Sequence, residues 1–339
     1  MGRFLKHVVV GKMLETGLVP VFYNDDLEIS KQIIKACVEG GARVVEFTDR
    51  GDQAHRTFSE LAKWCERGCS DAILGVGSVT DPETAALYIN SGANFVVSPV
   101  FSPDIARICN RRKTPYSPGC GSASEISRAE ELGVDIVKLF PSEQVGEPVF
   151  IKNLMGSCPS ALIMPTGDLD STREGISAWI KAGAACLGIG SSLITEEFVA
   201  ARDFSGISKK VEECIWWIKE ARGTLLFKGI EHIGLYATDK VTAGEIADWY
   251  ITTFEFTKIE GASSFFLSGQ GPGRIEIMKK PENVTCHIAI RIENFEMASK
   301  YLEDQGIDLE EAKIKAGVKA VFLRKPDIAG NRIHLLYLP

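Results

Sequence analysis

Short apolar runs alternate with longer amphipathic stretches over the first 222 residues of the chain. Most of the runs are four to six residues long, which is typical of strands buried in a parallel sheet. Between them, at residues 27–39, 53–67, 81–90 and 122–132, apolar residues recur with helical spacing. The predicted strands span residues 17–22, 43–47, 72–77, 95–100, 115–118, 136–140, 161–165 and 185–190.

These strand–helix repeats indicate an α/β fold. Eight repeats in about 220 residues are typical of a closed (β/α)8 TIM barrel. An open, doubly wound sheet is the alternative, but no Gly-x-Gly-x-x-Gly motif follows the first predicted strand. The pattern therefore favours the barrel.

The pattern changes after the Arg-Gly-Thr segment at residues 222–224. A strand, a helix and further strands then follow twice, with a period of about 55 residues. This repeat predicts a smaller α+β domain of two βαβββ units, with domain boundaries at 1–223 and 229–339. The predicted strands are 230–236, 264–267, 274–278, 287–292, 320–323 and 332–337, and the predicted helices are 243–253 and 295–305.

Composition narrows the class of partner. The net charge is −7 and no run of Lys or Arg forms a basic face, so we expect no nucleic-acid partner. No stretch of about 18 apolar residues predicts a membrane span, and the apolar run at residues 8–10 is too short for a signal peptide. Nine cysteines without a Cys-x-x-Cys pair indicate reduced thiols in a cytoplasmic protein.

Lys138 is the most informative polar residue among the predicted strands. It lies in the middle of the apolar strand at 136–140, and alternation turns it towards the barrel axis. Burial there lowers the pKa of an amine, and a neutral amine attacks a ketone to form an iminium ion. A lysine that pairs with an inward carboxylate, or that reaches solvent, is the alternative.

Glu46 is an inward carboxylate at the end of another strand, with Thr48 on the same face. A carboxylate within reach of an iminium ion can act as general acid and base. An ion pair between Lys138 and Glu46 would be the structural alternative, and a resting ion pair can also precede the chemistry.

Loops at the carboxyl ends of the strands carry the other candidates, because that end of a barrel holds its chemistry. Arg50 suits a carboxylate ligand, and Ser78 follows a Gly-Val-Gly turn that admits one closely. Gly167, Gly190 and Ser191 lie after the last two strands, where such barrels bind phosphate. A surface arginine and an ordinary tight turn remain open as alternatives.

These residues resemble the keto-deoxy-phosphogluconate / keto-hydroxyglutarate (KDPG/KHG) aldolase family over about residues 10–200. The resemblance implies that Lys138 forms a Schiff base with pyruvate and that Glu46 transfers protons. It also implies that Arg50 and Ser78 hold the pyruvate carboxylate. The matching motifs are Glu46 with Thr48 and Arg50, and residues 75–78, 97–99, 118–119, 124–125, 137–141 and 165–167.

Further implications of the resemblance concern the pocket and the assembly. Pro99 and Phe140 match pocket-lining residues, Ser191 matches a serine of the phosphate site, and members of the family are typically homotrimers. The chain departs from the family at Ser78, where threonine is usual, and at Asp168, where a second glycine is usual. Because Asp168 puts a carboxylate where the family places a phosphate, we expect an unphosphorylated substrate.

The repeated domain carries four side chains that can bind metal. His232 and His287 begin equivalent strands of the two units, and Glu276 and His334 lie on the last strand of each unit. If the units face each other, these side chains converge on a divalent metal such as Zn, Fe, Ni or Mn. Satisfied histidines in a structural domain are the alternative.

This domain resembles the vicinal oxygen chelate (glyoxalase-like) superfamily, on the segment at residues 326–334. The family usually has glutamate where His334 stands. The sequence therefore predicts a class I aldolase that cleaves a 2-keto-3-deoxy sugar acid or 4-hydroxy-2-oxoglutarate to pyruvate and an aldehyde, without a cofactor. The second domain is expected to be a metal-dependent isomerase, dioxygenase or lyase, or else a binding or oligomerisation module.

Overall fold

A computed structural model describes residues 2–238, 240–270, 273–280 and 286–338 of the chain. The chain divides into two compact units, Met1–Gly223 and Thr224–Pro339. Within the described residues, no helix combines the length and the apolar character needed to cross a membrane.

The first unit is the predicted (β/α)8 barrel: its strands pair in sequential order, all in parallel, and close into a ring. The strands are β1 (Leu18–Phe22), β2 (Val44–Thr48), β3 (Ile73–Gly77), β4 (Val96–Ser98), β5 (Tyr116–Cys120), β6 (Val137–Leu139), β7 (Ile163–Gly167) and β8 (Leu187–Ile189). The helices are α1 (Lys6–Thr16), α2 (Leu27–Glu39), α3 (Ala54–Gly68), α4 (Pro82–Asn90), α5 (Pro103–Arg112), α6 (Ala123–Glu131), α7 (Ser142–Val145), α8 (Glu147–Ser157), α9 (Arg173–Ala182), α10 (Glu196–Ala200) and α11 (Phe204–Ala221).

Many helices begin at an N-cap residue with an Asp, Ser or Thr side chain. Asp26, Asp81, Ser102, Ser122 and Thr172 each accept a hydrogen bond from a backbone N–H of the first turn that follows. Such a cap typically stabilises a helix by about 1 kcal/mol. The caps fix where each strand-to-helix loop ends, and these loops form the carboxyl-terminal end of the barrel.

The barrel interior is divided into an apolar floor and a polar upper part. Val9 and Met13 of α1 pack against inward residues from the lower halves of the strands, including Val44 and Ile136. Because side chains alternate along a strand, the next inward residues after Val44 and Ile136 are Glu46 and Lys138. The α1 helix therefore closes the amino-terminal end and leaves both polar groups in the upper part.

The second unit is one eight-stranded sheet built from the two predicted βαβββ units. The first βαβββ repeat comprises β9 (Phe227–Tyr236), α12 (Ala243–Phe254), β10 (Thr257–Glu260), β11 (Ser264–Ser268) and β12 (Arg274–Met278). The second repeat comprises β13 (Cys286–Ile292), α13 (Phe295–Asp304), β14 (Lys313–Lys315), β15 (Val318–Phe322) and β16 (Arg332–Tyr337).

The strand order is β10-β11-β12-β9-β13-β16-β15-β14, so the antiparallel pair β9/β13 joins the two repeats at the centre of the sheet. Each repeat has its own small apolar core. Ala243 and Ala247 of α12 pack with Leu267 and Ile277 in one, and Phe295 of α13 belongs to the other. The join of β9 and β13 brings corresponding positions of the repeats together.

Candidate functional site

A pocket of about 780 Å³ lies at the carboxyl ends of the barrel strands. Every barrel residue that the sequence predicted for a site lines it: Glu46, Thr48, Arg50, Ser78, Pro99, Lys138, Phe140, Gly167, Asp168, Gly190 and Ser191. Closure of the ring explains this convergence, because it turns the ends of distant strands towards one axis.

Lys138 lies in the middle of β6 and only 6% of its surface is exposed. Its Nζ atom lies 4.6 Å from the centre of the Phe140 ring. Burial lowers the pKa of Lys138 from the ordinary value of 10.5, Glu46 opposes this effect, and Arg50 adds to it. The lysine consequently holds more neutral amine at a given pH than an exposed lysine does.

Glu46 lies on β2 and is 1% exposed. Burial raises its pKa above the ordinary 4.5, while Lys138 and Arg50 act in the opposite direction. Its Oε2 atom is buried and has no hydrogen-bond partner among the residues that the structure describes. Because Glu46 lines the pocket, this oxygen can bond to a ligand or a water molecule there.

Lys138 and Glu46 face the same cavity without forming an ion pair. Their nitrogen and oxygen atoms are not within 4.0 Å of each other, although both side chains line the pocket. The space between an amine and a carboxylate in this arrangement can hold a small substrate that contacts both. The ion-pair alternative is thus not the arrangement that the structure adopts.

The loop that carries Arg50 is tied to the barrel on both sides. The Asp49 amide donates to the Gly77 carbonyl at 2.9 Å, and the Tyr88 hydroxyl donates to Asp49 Oδ1 at 2.7 Å. The backbone of Arg50 is therefore held in place just after the end of β2. Its side chain lines the pocket, where the guanidinium can hold a carboxylate.

Ser78 has a φ angle of 63°, in the left-handed region that residues other than glycine seldom adopt. Strained backbone of this kind persists where the surrounding structure imposes it, often at functional sites. Ser78 directly follows β3 and lines the same pocket as Glu46 and Arg50.

The opposite wall is formed by the loops after β7 and β8. Ser192 Oγ donates to the Leu169 carbonyl at 2.6 Å, and Ser171 Oγ donates to the Ser192 carbonyl at 2.8 Å. These bonds tie the two loops together and fix Asp168 and Ser191, both of which are exposed at the pocket wall. The carboxylate of Asp168 therefore stands at the wall where the sequence placed a phosphate site.

Several lining residues were not predicted from the sequence. Tyr23, Asn24, Gln144 and Glu196 add polar groups, and Glu196 is a second exposed carboxylate. The position of Tyr23 and Asn24 just after β1 was a usable signal, because strand ends form the site. Glu196 begins α10, and no sequence pattern connects it to the pocket.

In the second unit, His232, Glu276 and His287 converge. Nε2 of His232, Nε2 of His287 and Oε2 of Glu276 are each 3.2 Å from the other two atoms. These atoms form a group that could hold a metal ion. Both histidines are buried, at 6% and 3% exposure.

His334, the fourth predicted ligand, lies beside this group. Its ring centre is 5.4 Å from that of His232 and 5.2 Å from that of His287, but it is outside the set of three converging atoms. Burial, followed by the charges of His232 and His287, lowers the pKa of His334 to about 3. Its buried Nδ1 has no partner among the described residues, so the ring is neutral and available as a ligand.

Surrounding residues hold this group in position. The Tyr236 hydroxyl contacts Nδ1 of His287 at 3.0 Å, and the Ser264 hydroxyl donates to Oε1 of Glu276 at 2.6 Å. Burial alone would raise the pKa of Glu276, but hydrogen bonds from His232, His287 and Ser264 outweigh it and hold the pKa well below its ordinary value. A Cβ atom on Gly234 would lie 1.8 Å from the His287 ring, so only glycine leaves room for the ring.

Comparison with known proteins concerns the first unit. A family model for KDPG and KHG aldolases matches residues 9–210. The 2-dehydro-3-deoxy-phosphogluconate aldolase of Treponema pallidum (strain Nichols) is 30% identical over 191 residues, which are 56% of this chain and 88% of that protein. The KHG/KDPG aldolase of Escherichia coli (strain K12) is 29% identical over 204 residues, 60% of this chain and 93% of that protein.

Solved structures show the same barrel. The KDPG aldolase of Legionella pneumophila, solved with pyruvate captured at low pH as a covalent carbinolamine intermediate, is similar with a TM-score of 0.54 and 23% identity. The similarity covers 60% of this chain and 97% of that one. At this identity, the likeness establishes the fold.

Proposed function

The chain belongs to the KDPG and KHG aldolase family and is a class I aldolase, and we propose that Lys138 is its covalent nucleophile and Glu46 its proton-transfer group. The observation that carries the proposal is that a buried amine and a buried carboxylate share one pocket without pairing. The carbinolamine captured in the Legionella pneumophila aldolase also supports a covalent route.

In the cleavage direction, the neutral amine of Lys138 attacks the C2 carbonyl of a 2-keto-3-deoxy acid. Loss of water from the carbinolamine gives an iminium ion. When the C4 hydroxyl loses its proton, the C3–C4 bond breaks, its electron pair forms an enamine, and the aldehyde leaves. Protonation of C3 and hydrolysis of the new iminium ion release pyruvate and restore the amine. Glu46 donates and accepts the protons of these steps.

Arg50 and Ser78 bind the carboxylate of the keto acid in this scheme. A guanidinium offers two parallel N–H groups to a carboxylate, and the serine hydroxyl adds another donor. Thr48, Pro99 and Phe140 complete the wall around the reacting carbons, since all three line the pocket. The keto acid is thereby oriented with C2 towards Lys138.

The substrate lacks a phosphate group. Asp168 and Glu196 both stand at the wall near Gly167, Gly190 and Ser191. Two carboxylates there disfavour a phosphate, and they also disfavour a second carboxylate, though less strongly because it carries a smaller negative charge. A 2-keto-3-deoxy sugar acid with a neutral hydroxylated tail therefore fits better than 4-hydroxy-2-oxoglutarate. A higher kcat/KM for the phosphate ester than for the unphosphorylated acid would contradict this assignment.

Borohydride reduction in the presence of pyruvate tests the nucleophile. The proposal expects a stable adduct on the peptide that contains Lys138, and no adduct in Lys138→Arg, which cannot form the imine. Lys152→Arg, which changes a helix lysine outside the set of lining residues, serves as the matched control and should be labelled normally. Labelling of the Lys138→Arg protein at another lysine would rule the assignment out.

A second candidate function rests on the second unit, where we propose a divalent metal centre held by His232, Glu276, His287 and His334. Ligands of a tetrahedral metal at about 2.0–2.1 Å lie about 3.3 Å apart. The 3.2 Å triangle of the first three donor atoms matches this spacing. Because one imidazole Nε2 has either one proton or one lone pair, it cannot satisfy two such contacts by hydrogen bonding.

Such a centre supplies a Lewis acid that polarises substrate oxygens when the ion is bound. Metal analysis of the full-length protein tests the proposal, with about one ion per chain expected. A chain without tightly bound metal would instead favour a binding or oligomerisation module.

We propose domains at 1–223 and 229–339, a cytoplasmic location and a homotrimeric assembly. The trimer is tested by light scattering on the purified protein.

A further inference from the structure

Two arginines share one carboxylate beside the proposed metal centre. Arg274 Nη2 lies 2.7 Å from Glu231 Oε1, and Arg291 Nη1 lies 3.4 Å from Glu231 Oε2. Glu231 directly precedes His232 on β9. This arrangement is not part of the predicted ligand set, and none of the steps proposed for the barrel uses it.

The strand register puts the arginines on the same face of the sheet as the metal ligands. Arg274 stands directly across from His232 in the β9/β12 pair, and Glu276 follows two residues later on that face. Arg291 lies two residues beyond Ala289, which stands across from His232 in the β9/β13 pair. A register shift between Ala289 and Ile290 lets Glu231 join this face as well.

The charges of this group do not cancel. Two guanidinium groups surround one carboxylate, which leaves an excess of one positive charge. The Glu231 side chain is 10% exposed, whereas those of Arg274 and Arg291 are 43% and 45% exposed. The carboxylate therefore lies beneath the arginines, and within the described part of the chain each arginine commits one N–H bond to it.

A further cation flanks the centre on its other side. Arg332 stands across from His287 in the β13/β16 pair, and its guanidinium lies 4.3 Å from the centre of the Phe322 ring. Arg332 also pairs with Glu310 at 3.1 Å. Because its carboxylate partner balances its charge, the uncompensated charge lies with Arg274 and Arg291.

We propose that Arg274 and Arg291 form a binding site for the carboxylate of a small 2-oxo acid whose oxo oxygen faces His232, Glu276 and His287. A planar carboxylate matches the paired N–H groups of a guanidinium, and a single negative charge balances the excess. The oxo group of such a ligand is a suitable oxygen donor for a divalent metal. The ligand is either the pyruvate that the barrel releases or a longer 2-oxo acid from elsewhere.

Part of this inference rests on the metal centre proposed above, so the experiment measures the two separately. The full-length chain with Lys138→Ala and Arg50→Gln, which remove the proposed pyruvate contacts of the barrel, serves as the background. Calorimetric titrations with pyruvate, 2-oxoglutarate, pyruvamide and inorganic phosphate are made with and without Co(II), after metal content has been determined. Pyruvamide has the shape of pyruvate but no negative charge.

The proposal expects both 2-oxo acids to bind and pyruvamide to bind at least about tenfold more weakly. The relative affinities of pyruvate and 2-oxoglutarate identify the source of the ligand. Arg274→Gln and Arg291→Gln should each weaken binding by about tenfold with metal content unchanged. Arg324→Gln, an exposed arginine of the same unit, should have no effect.

Glu231→Gln separates a ligand site from a structural ion pair. It removes the internal anion that competes for both arginines, so 2-oxo acid binding should tighten by about tenfold. A structural ion pair would make Glu231→Gln destabilising without improving binding. Equal binding of pyruvamide and pyruvate, tighter binding of phosphate than of either 2-oxo acid, or weaker binding by Glu231→Gln would overturn the proposal. A protein that takes up no metal contradicts the metal centre alone, because the arginine variants are still compared without Co(II).

Discussion

A Cβ atom added to Gly77 would lie 1.7 Å from Oε1 of Glu46. The absence of a side chain on β3 is therefore what allows the carboxylate on β2 to occupy its place in the pocket. The barrel register puts Thr48 beside Gly77 and Glu46 beside Gly75, so the carboxylate leans towards the end of the neighbouring strand.

Substitution of Gly77 by alanine should displace the Glu46 carboxylate and lower kcat by about a hundredfold or more, the usual contribution of a general acid or base. Steady-state kinetics of pyruvate release measures the effect, and circular dichroism checks the fold. Gly156→Ala, where an added Cβ meets nothing within 4 Å, is the matched control and should be almost neutral. Normal kcat in a folded Gly77→Ala protein would contradict the role of Glu46.

The reactivity of Lys138 should depend on pH in a way that Glu46 controls. The pKa of Lys138 is lowered by burial and raised by Glu46, so Glu46→Gln should lower it further. The amine reacts above its pKa and loses reactivity as the pH falls through that value. The acid-side loss should therefore move to lower pH in Glu46→Gln.

The rate at which an amine-reactive reagent modifies Lys138, read by peptide mass spectrometry across pH, measures this shift. Glu28→Gln changes an exposed carboxylate on α2 that pairs with Lys31, and it should leave the profile unchanged. Movement of the Lys138 profile to higher pH in Glu46→Gln would show that burial and charge do not act as described.

Removal of the negative charge at Asp168 should change the preference between substrates. Asp168→Asn is expected to raise kcat/KM for the phosphorylated 2-keto-3-deoxy acid by about tenfold, because a like charge next to the phosphate is lost. The value for the unphosphorylated acid should change little. Asp104→Asn, at an exposed position of α5 in the same barrel, tests for a general effect of net charge. An equal change for both substrates would argue against a specific role of Asp168.

The affinity of the metal centre should depend on residues that do not bind the ion. Tyr236→Phe removes the hydroxyl that contacts Nδ1 of His287, and loss of such an outer partner typically weakens metal binding by about tenfold or more. Competition with a chelator measures the affinity. Tyr301→Phe, a half-exposed tyrosine on α13, is the control. Chelation should leave pyruvate release by the barrel unchanged, since the proposed steps there need no metal.

The barrel was predictable because short apolar runs, which become strands buried on both faces, alternate along the chain with amphipathic helices. The strand expected at 136–140 is observed as Val137–Leu139, and the ends of the other barrel strands differ from prediction by similar small amounts. Glu46 and Lys138 were recognisable as inward polar residues in apolar strands. Alternation alone assigned them to the barrel axis.

The predicted βαβββ units imply eight strands in the second unit, but only six were located in the sequence, and the two that were missed are β10 and β14. They lie at opposite edges of the sheet, and every residue of Thr257–Glu260 and Lys313–Lys315 is exposed. Edge strands pair on one side only and bury little, and the single apolar residue of each of these strands, Ile259 or Ile314, is exposed. Pairing with β11 and β15 determines their structure, and this depends on contacts that a local pattern does not encode.

The unpredicted pocket residues have a similar explanation. Glu196 reaches the pocket because α10 follows the loop after β8, and its location depends on how that loop turns. Among the residues of the second unit, the 3.2 Å triangle of donor atoms likewise required the β9/β13 register. The sequence indicated which residues were candidates, whereas the register fixed their distances.

Because α1 closes the amino-terminal end of the barrel, substrates and products must enter and leave the pocket through the same opening, at the carboxyl ends of the strands. Lys138 is buried, whereas Asp168 and Glu196 are exposed. In cleavage, the aldehyde must depart before pyruvate, which is still attached and lies deeper. In the reverse reaction, pyruvate must enter first, so a high concentration of aldehyde should block the enzyme by occupying the entrance.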